Sequence, residues 1–596
     1  MSRPGQARPD AQNVALEHLD EHVPDDAILP AALAPGQPVT APQEPAPAAA
    51  WRPLRPGGAL GRRLAPWAAG LAAAAGLFIA YLQISRTQPV NSDGASNALQ
   101  AWDMLHGNLL LHGWILSDVS FYTTELPQYM LVEAVRGLNP EVVHVAAAMT
   151  YTLLVVLAAL LAKGRASGRQ AAMRMAVAAG IVVAPLLGPS TNVLLLAPDH
   201  VGTTVFLLAT WLLLDRAGRR WWVPPAMGAL LAWGLITDPL VFFAGVAPLL
   251  LVAGLRAGQE IAVQHHKIRQ AWFELALAAA AVAALVVAKA AQALIQALGG
   301  YLIWPVGSGI ITAGRLAHNL SLTLKGIAVL FGAGYFGVKA GPPAPLVLVH
   351  WVGLGLAVAA VWAGARRFFR ETSLVTSVLT VAVVINVGMY LVSTKALSLD
   401  SAREMAPSLA FSAVLAGRLL ADRLLTARLR GVRLAPLLAV ALAGYGLSLA
   451  VSAASPAAPA EKTAVTSWLA RNHYRYGLAG YWNANIVSLT SHNQILIRPL
   501  YSVSGRFIQY PWESVSGWYD PQRQYANFVV LGPIVEPYFR PSYAAVVANF
   551  GKPARVYHVG ADTVLVWHKN LLSQVVTGSW AGVEKSGLPG PARQRT

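Results

Sequence analysis

The sequence contains no cysteine and few charged residues. None of its 596 residues is cysteine, and only 12% are aspartate, glutamate, lysine or arginine, which is about half the share in a typical soluble domain. The lack of cysteine excludes disulfide bonds, thiolate metal sites and cysteine nucleophiles. The low share of charge, together with 55% hydrophobic residues, indicates an integral membrane protein with many spans.

Acidic residues are scarce compared with basic ones. The chain has 28 aspartates and glutamates against 45 lysines and arginines, a formal net charge of +17. In a soluble protein this excess would favour a nucleic-acid partner. Here the basic residues lie mainly in short stretches between apolar runs, as the positive-inside rule expects. We therefore expect the lipid bilayer, and not nucleic acid, as a partner.

Several motifs are also missing. The sequence shows no heptads, no sustained repeats and no P-loop, so it does not encode an ABC-type motor. It has no Ser-His-Asp spacing and no G-x-S-x-G turn, which disfavours a hydrolase. Gly332 to Gly337 matches G-x-G-x-x-G but lies in an apolar segment, without the strand that nucleotide binding needs. Close helix packing through small residues explains this segment better.

Apolar runs predict a polytopic α-helical membrane protein with about eleven spans. The predicted spans are 64–84, 141–162, 171–188, 200–214, 222–237, 239–255, 271–298, 345–364, 374–394, 405–424 and 434–453. The basic segments between them predict a multi-pass protein of the plasma membrane with its N-terminus in the cytoplasm. The apolar stretch Leu322–Val338 does not fit this charge pattern as a span, and we interpret it as re-entrant or interfacial.

Composition divides the chain into four regions. Residues 1–63 are rich in proline and alanine and predict a disordered cytoplasmic segment. Residues 64–455 form the membrane domain, which has a large first outer loop at 85–140. Residues 456–570 predict a small extracytoplasmic α/β domain, in which an amphipathic helix precedes the strand-like runs IVSLT, ILIRPL, NFVVLG, YAAVV and VLVWH. Residues 571–596 form a flexible tail.

The first outer loop carries acids and aromatics that the other loops lack. Asp93 lies just beyond the apolar end of the first span, and Ala95–Leu105 has the periodicity of an amphipathic helix on the membrane surface. A carboxylate at a membrane-facing cavity is suited to act as a general base on a hydroxyl group. The alternative is that Asp93 caps this helix.

The segment from Ser92-Asp93-Gly94 to Leu105-His106-Gly107-Asn108, directly after one span, resembles the GT-C glycosyltransferases. These multi-span enzymes use polyprenyl-phosphate sugars as donors, and the protein mannosyltransferases and aminoarabinose transferases are the members most similar in pattern. The resemblance covers the first four spans best. It implies a GT-C-like fold and a catalytic Asp93. It also implies sugar transfer to an acceptor hydroxyl, on a glycan or a protein, at the extracytoplasmic side.

Two further acids and a histidine are candidates for the site. Glu125, near the end of the loop, is a candidate second catalytic acid or acceptor contact, and the alternative is an exposed loop acid. Asp199 and His200 end the second outer loop, where the resemblance implies a place close to substrate or metal. Alternatively, Asp199 caps the next helix. A divalent metal ion held by Asp93, Asp199 and His200 suits these ligand types. No dense ligand spacing supports such an ion, so no metal is assigned.

A lipid phosphate needs cations at the outer membrane surface. The candidates for donor-phosphate binding are Arg403, Lys395 and Arg86. Arg403 is preferred, because relatives place a basic residue in a comparable late outer loop. Arg403-Glu-Met-Ala-Pro407 departs from their R-Y-x-x-P pattern, with glutamate at the aromatic position. Interfacial snorkelling is the alternative role for Arg403.

Aromatic and amide side chains cluster in two stretches of the C-terminal region, Gly480–Asn485 and Tyr510–Glu513. This mixture suits sugar binding, and core packing with turn chemistry is the alternative. A different class of function also stays open: a transporter, or a non-catalytic cell-envelope assembly scaffold with an outer binding domain. A transporter needs polar groups at mid-membrane, and Lys289 and Asn386 are the only candidates. The enzyme is therefore the preferred interpretation.

Overall fold

The computed structural model describes residues 59–183, 185–263, 268–304, 309–335, 345–371, 373–429, 432–503, 505–533 and 541–577. The predicted N-terminal segment up to residue 58 lies outside the described residues. So do the tail from residue 578 and the last two residues of the glycine motif.

Most described residues are helical. In chain order the α-helices are α1 (Ala59–Ser85), α2 (Ser92–Leu105), α3 (Leu126–Arg136), α4 (Glu141–Lys163), α5 (Gly168–Val182), α6 (Pro189–Leu195), α7 (Val201–Ala217), α8 (Val223–Thr237), α9 (Ala247–Gly258), α10 (Trp272–Ala297), α11 (Leu316–Leu330), α12 (Leu346–Arg366), α13 (Leu374–Val392), α14 (Ala406–Leu419), α15 (Ala421–Thr426), α16 (Leu434–Ala453), α17 (Thr463–Arg471), α18 (Tyr481–Thr490) and α19 (Tyr543–Phe550).

A helix occupies each predicted span, but the helices differ in length. Seven helical stretches in the described part are long and apolar enough to cross a membrane: Trp67–Ser85, Glu141–Lys163, Phe242–Ala262, Trp272–Ala297, Leu346–Arg366, Leu374–Val392 and Leu434–Ala453. The helices α5, α7, α8 and α14 are shorter, with 15, 17, 15 and 14 residues, against the roughly 20 that a straight span needs. The protein is a polytopic α-helical membrane protein with a C-terminal α/β region.

The strands are short and lie mainly in the C-terminal region. In chain order they are β1 (Trp114–Leu116), β2 (Leu302–Ile303), β3 (Arg428–Leu429), β4 (Val432–Arg433), β5 (Tyr476–Gly480), β6 (Leu496–Val503), β7 (Arg506–Gln509), β8 (Ser514–Val515), β9 (Phe528–Leu531), β10 (Arg555–Val559) and β11 (Asp562–Val566). Six of them form one sheet in the order β10-β11-β9-β5-β6-β7. Strand β5 is parallel to both β6 and β9.

Two predicted strands of this domain are wrong. The runs IVSLT and YAAVV lie in the helices α18 and α19. Strands β5 and β6 are parallel neighbours, and a parallel pair needs a crossover connection. Helix α18 provides that connection, so tertiary context overrides the β-propensity of Ile486, Val487 and Thr490. The runs ILIRPL, NFVVLG and VLVWH contribute to β6, β9 and β11, and the predicted amphipathic helix is α17.

The first loop is joined to the C-terminal domain in two ways. Strand β1 of the loop pairs with β8 of the domain on one side and with β2, which follows α10, on the other. Helix α18 contributes Ile486 and Leu489 to the apolar cluster around α2. The expected surface helix α2 is therefore enclosed rather than exposed, because its small polar side chains, among them Ser96 and Asn97, are covered by neighbouring elements. This docking brings the C-terminal domain to Asp93.

Candidate active site

Helix α2 fixes the position of Asp93. Asn91 is the N-cap residue, and its side chain accepts a hydrogen bond of 2.9 Å from the Gly94 amide. Asp93 follows in the first helical turn, where the positive end of the helix favours a carboxylate. A methyl group at Gly94 would lie 2.8 Å from Val143, so α2 packs directly on α4. The carboxylate is thus held by a rigid element.

Arg403 lies between two carboxylates that are distant in sequence. Its Nη1 is 3.3 Å from Asp199 Oδ2, and its Nη2 is 3.7 Å from Asp93 Oδ2. The other oxygen of Asp199 accepts a 3.0 Å hydrogen bond from the Asn97 amide on α2. The Asp199 side chain is 4% exposed, whereas a third of Arg403 (34%) remains accessible. The structure therefore brings Asp93 and Asp199 together around the guanidinium of Arg403, a side chain that is partly accessible.

Burial, and the attraction between Arg403 and the two carboxylates, determine the pKa values of Arg403 and Asp199. Burial disfavours the charge on Arg403, but Asp199 and Asp93 outweigh it and raise the pKa of the guanidinium above its usual value. Burial raises the pKa of Asp199, and Arg403 acts in the opposite direction. Arg403 is therefore charged at every working pH, and the two acids depend on it as their shared cation.

The C-terminal domain adds two side chains beside Asp93. The Tyr481 hydroxyl is 2.7 Å from Asp93 Oδ1 and 2.5 Å from Glu513 Oε2. The Tyr481 carbonyl accepts a 2.7 Å hydrogen bond from Ser92, which fixes α18 against the start of α2. Sequence reasoning missed both contacts. The aromatic and amide clusters at Gly480–Asn485 and Tyr510–Glu513 were the available signal, but they predicted a sugar-binding surface rather than a buried contact with Asp93.

His200 faces away from Asp93 toward a second pair of acids. Its Nδ1 is 2.8 Å from Asp238 Oδ2, and its Nε2 is 4.0 Å from Glu404 Oε1. Burial alone would lower the pKa of His200, but Asp238 and Glu404 outweigh it and raise the value to about 9. His200, and not Asp199, is the N-cap residue of α7, with φ of +58°. This left-handed backbone costs on the order of 1–3 kcal/mol, which the buried contact with Asp238 offsets.

Glu125 is fully enclosed and bonds to the start of α7. Its Oε1 accepts a 2.8 Å hydrogen bond from the Thr203 amide, and its other oxygen contacts the Thr124 hydroxyl. A side chain at Gly202 would lie 2.7 Å from this carboxyl group, so the fit is close. Burial raises the pKa of Glu125 to about 8. The structure therefore places Glu125 in the interior against the start of α7, and not in an exposed loop.

The two other predicted phosphate ligands are paired with acids. Lys395 forms an ion pair with Asp118 of the first loop. Arg86 binds Glu141 at the start of α4, with contacts of 2.8 Å from Nε and 2.5 Å from Nη2. Lys395 lines a cavity of about 410 Å³ that also contains Asp118, Asp238, Glu404, Tyr390, Phe243 and Trp304. Two of the acids that line this cavity, Asp238 and Glu404, also contact His200. Glu404 directly follows Arg403 in the sequence, so the cavity lies close to Arg403 along the chain.

The described residues do not fit the divalent metal ion considered from the sequence. They contain no group of three or more histidine, aspartate or glutamate side chains arranged to hold one. Asp93 and Asp199 share the guanidinium of Arg403, and His200 is turned toward Asp238 and Glu404. The three predicted ligands therefore do not meet at a common point.

Comparisons with known proteins give a structural likeness only. No protein-family profile matches the chain, and no curated protein matches it. The crystal structure of ArnT from Cupriavidus metallidurans bound to undecaprenyl phosphate is 12% identical and covers 84% of this chain and 98% of that chain, with a TM-score of 0.51. ArnT in the apo state gives 12% identity, 87% and 100% coverage, and a TM-score of 0.50.

A weaker likeness joins the chain to the oligosaccharyltransferase of Archaeoglobus fulgidus, solved in complex with zinc and sulfate. It has 12% identity, covers 76% of this chain and 67% of that chain, and has a TM-score of 0.45. The ArnT likeness covers most of both chains. The chain has the fold of the GT-C membrane glycosyltransferases, which confirms the fold that the sequence resemblance implies.

Proposed function

We propose that the chain is a membrane glycosyltransferase that moves a sugar from a polyprenyl-phosphate donor to an acceptor hydroxyl at the extracytoplasmic face. The observation that carries the proposal is the placement of Arg403 between Asp93 and Asp199, with a third of the Arg403 side chain accessible. A single displacement at an anomeric carbon requires a carboxylate that takes up a proton and a cation that stabilises the leaving phosphate. ArnT, which shares the fold, was crystallised with undecaprenyl phosphate, and we extend that donor class to this chain.

Asp93 is the general base in this proposal. Its Oδ1 is occupied by the Tyr481 hydroxyl at 2.7 Å. Its Oδ2 has only a loose contact of 3.7 Å with Arg403, which leaves a lone pair for an acceptor hydroxyl. The acceptor oxygen attacks the anomeric carbon while its proton moves to Asp93 Oδ2. Proton removal by a positioned base contributes typically 10²–10⁴-fold to such a reaction.

Arg403 stabilises the leaving phosphate. The bond between the anomeric carbon and the phosphate oxygen breaks as the new glycosidic bond forms, and its electron pair leaves with the phosphate. A guanidinium has five N–H donors, and the long contacts to Asp93 and Asp199 leave several of them for this phosphate. A single displacement inverts the configuration at the anomeric carbon.

The cavity beside Lys395 is the proposed donor site. It combines a cation with the aromatic and apolar side chains of Phe243, Met389 and Trp304, which suits a phosphate head joined to an apolar chain. We propose that Lys395 binds the donor phosphate together with Arg403, and that Asp118 releases Lys395 when the donor enters. Arg86 remains a more distant candidate, since Glu141 already binds two of its nitrogens.

Glu125 and His200 support the site rather than react in this proposal. Both fix the start of α7 directly after Asp199: Glu125 binds the Thr203 amide, and His200 binds Asp238. Their burial keeps them out of reach of a substrate, with 0% and 4% exposure. Asn386, one of the two polar residues that a transporter could use, instead binds the Glu404 carbonyl and Ser408, which fixes α13 to α14.

The test is transfer by the purified protein in proteoliposomes. A panel of radiolabelled polyprenyl-phosphate sugars is supplied with glycan and peptide acceptors, and the released polyprenyl phosphate and the anomeric configuration of the product are measured. The proposal predicts protein-dependent donor consumption with an inverted product. A donor that crosses the vesicle membrane intact would support a transporter instead, and a product with retained configuration would contradict the single displacement.

A further inference from the structure

The phenol oxygen of Tyr481 lies within hydrogen-bond distance of two carboxyl groups. It is 2.7 Å from Asp93 Oδ1 and 2.5 Å from Glu513 Oε2. A tyrosine hydroxyl has one proton to donate, and an ionised carboxylate has none. Two hydrogen bonds among these three groups need two protons, so one of the two carboxyl groups must be protonated.

The second proton belongs to Glu513. Asp93 is paired with the Arg403 guanidinium at 3.7 Å, whereas no lysine, arginine or histidine among the described residues pairs with Glu513. Glu513 is only 2% exposed. Burial, reinforced by the charge of Asp93, raises the pKa of Glu513 well above its usual value.

We propose that Glu513 and Tyr481 are positioning residues through which the C-terminal domain holds the base. Glu513 donates its carboxyl proton to the Tyr481 oxygen, and Tyr481 donates its hydroxyl proton to Asp93 Oδ1. These two hydrogen bonds hold Asp93 Oδ1 in place and turn Oδ2 toward the acceptor. The inference rests on the proposed function, in which Asp93 is the base.

The local backbone supports a specific role for Glu513. Its φ is +51°, a left-handed conformation that is strained in a residue other than glycine. Strain of this kind persists where the surrounding structure holds it, and the adjacent strand β8 is fixed by pairing with β1 of the first loop. The same docking that attaches the domain to the loop therefore sets Glu513 against Tyr481.

The charged groups around these two hydrogen bonds determine how transfer depends on pH. Asp93 faces Tyr481 and Arg403, with Asp199 across the guanidinium. Glu513 faces Tyr481 and Ser96 and feels the charges of Asp93 and Asp199, and Tyr510 lies beside Tyr481. When Glu513 loses its proton at high pH, its carboxylate competes for the Tyr481 proton. Asp93 then loses its donor, and transfer declines.

Two substitutions test the hydrogen bonds from Glu513 to Tyr481 and from Tyr481 to Asp93 through the pH dependence of kcat. Glu513→Gln keeps an N–H donor for Tyr481 and cannot ionise. It should retain activity within about threefold at neutral pH, since the donor is preserved, and lack the alkaline decline of the wild type.

Tyr481→Phe removes the donor to Asp93. Its kcat should fall by about 10–100-fold, as one lost charge-assisted hydrogen bond costs about 1.5–3 kcal/mol. Its pH profile should also lack the alkaline decline of the wild type, because no donor to Asp93 remains to be lost.

Tyr519→Phe is the matched control. It removes another buried hydroxyl of the same domain, one bonded to the Pro499 carbonyl, and should keep the wild-type pH profile. If Tyr481→Phe fails to fold, the pH profile of Glu513→Gln still tests the inference. An alkaline limb in Glu513→Gln identical to that of the wild type would overturn the inference, while an inactive Asp93→Asn would leave the proposed function intact. An active Asp93→Asn would overturn both.

Discussion

The guanidinium of Arg403 lies 3.3 Å from the carboxylate of Asp199, although 204 residues separate them in sequence. The residue Asp199 directly precedes His200 at the start of α7, and Arg403 directly precedes Glu404 ahead of α14. His200 and Glu404 also lie close together, with His200 Nε2 4.0 Å from Glu404 Oε1. Two consecutive pairs of opposite charge thus join the starts of two helices beneath the site.

Arg403 should be needed for both chemistry and stability. Arg403→Gln removes the cation that is proposed to stabilise the leaving phosphate, so kcat/KM should fall by about 10²–10³-fold. It also leaves the buried Asp199 carboxylate without its cation, at a cost of about 3–5 kcal/mol, which should lower the Tm in detergent. Arg403→Lys should restore part of the stability and less of the activity, because an ammonium cannot contact both carboxylates through a planar fork.

Asp199→Asn in the Arg403→Gln background separates the two effects. Removing the unpaired charge should recover the Tm without recovering transfer. A double variant that recovers transfer would show that Arg403 serves only to neutralise Asp199.

Lys395 should affect donor binding more than turnover. Lys395→Met removes a cation from the proposed donor cavity, so the KM for the lipid donor should rise by about tenfold, equivalent to about 1.4 kcal/mol, with a smaller change in kcat. Steady-state kinetics at fixed acceptor concentration measure both. Arg86→Met is the matched control, and an equal rise in KM there would move the phosphate contact to Arg86.

Glu125 should make stability fall as the pH rises. Its pKa is raised by burial from 4.5 to about 8, so the folded state keeps a proton that the unfolded state releases. The stabilisation is complete below about pH 4.5 and disappears as the pH rises through about 8. Glu125→Gln keeps the acceptor for the Thr203 amide and should flatten the dependence of Tm on pH between about 4.5 and 8. It should also keep kcat within about threefold, as expected for a residue outside the reaction.

A large loss of transfer in Glu125→Gln, with an unchanged Tm profile, would instead support the catalytic role that the sequence first suggested for Glu125. Thr203→Val is a useful comparison. It removes a hydroxyl contact to the same carboxyl group, at 3.2 Å, without changing its charge.

The sequence predicted the helical membrane fold well because hydrophobic runs report local burial directly. It also predicted Asp93, Asp199 and Arg403 as candidates, since polar residues beside apolar runs are distinctive. It could not predict Tyr481 as a partner of Asp93, because 388 residues separate them and only the docking of the C-terminal domain joins them. The sequence predicts α2 at the membrane surface for the same reason. Nothing in its polar face indicates that α18 covers it.

The failures inside the C-terminal domain have a similar cause. The β-branched run Ile486–Thr490 has the propensity of a strand, yet it must connect two parallel strands and becomes α18. Glu513 could not be identified as buried, since its neighbours Trp512 and Ser514 give no sign of burial in the sequence. Local pattern fixes the type of most elements, and long-range docking decides which side chains meet.

The most direct test of the central claim is transfer by Asp93→Asn compared with Asp103→Asn. Both residues lie on α2, but the Asp103 carboxylate binds Asn108 and Trp114 within the loop. Asp93→Asn should reduce transfer from a polyprenyl-phosphate sugar by about 10²–10⁴-fold, with unchanged expression and donor binding, and Asp103→Asn should keep most of the activity. Transfer by Asp93→Asn within threefold of the wild type would contradict the account.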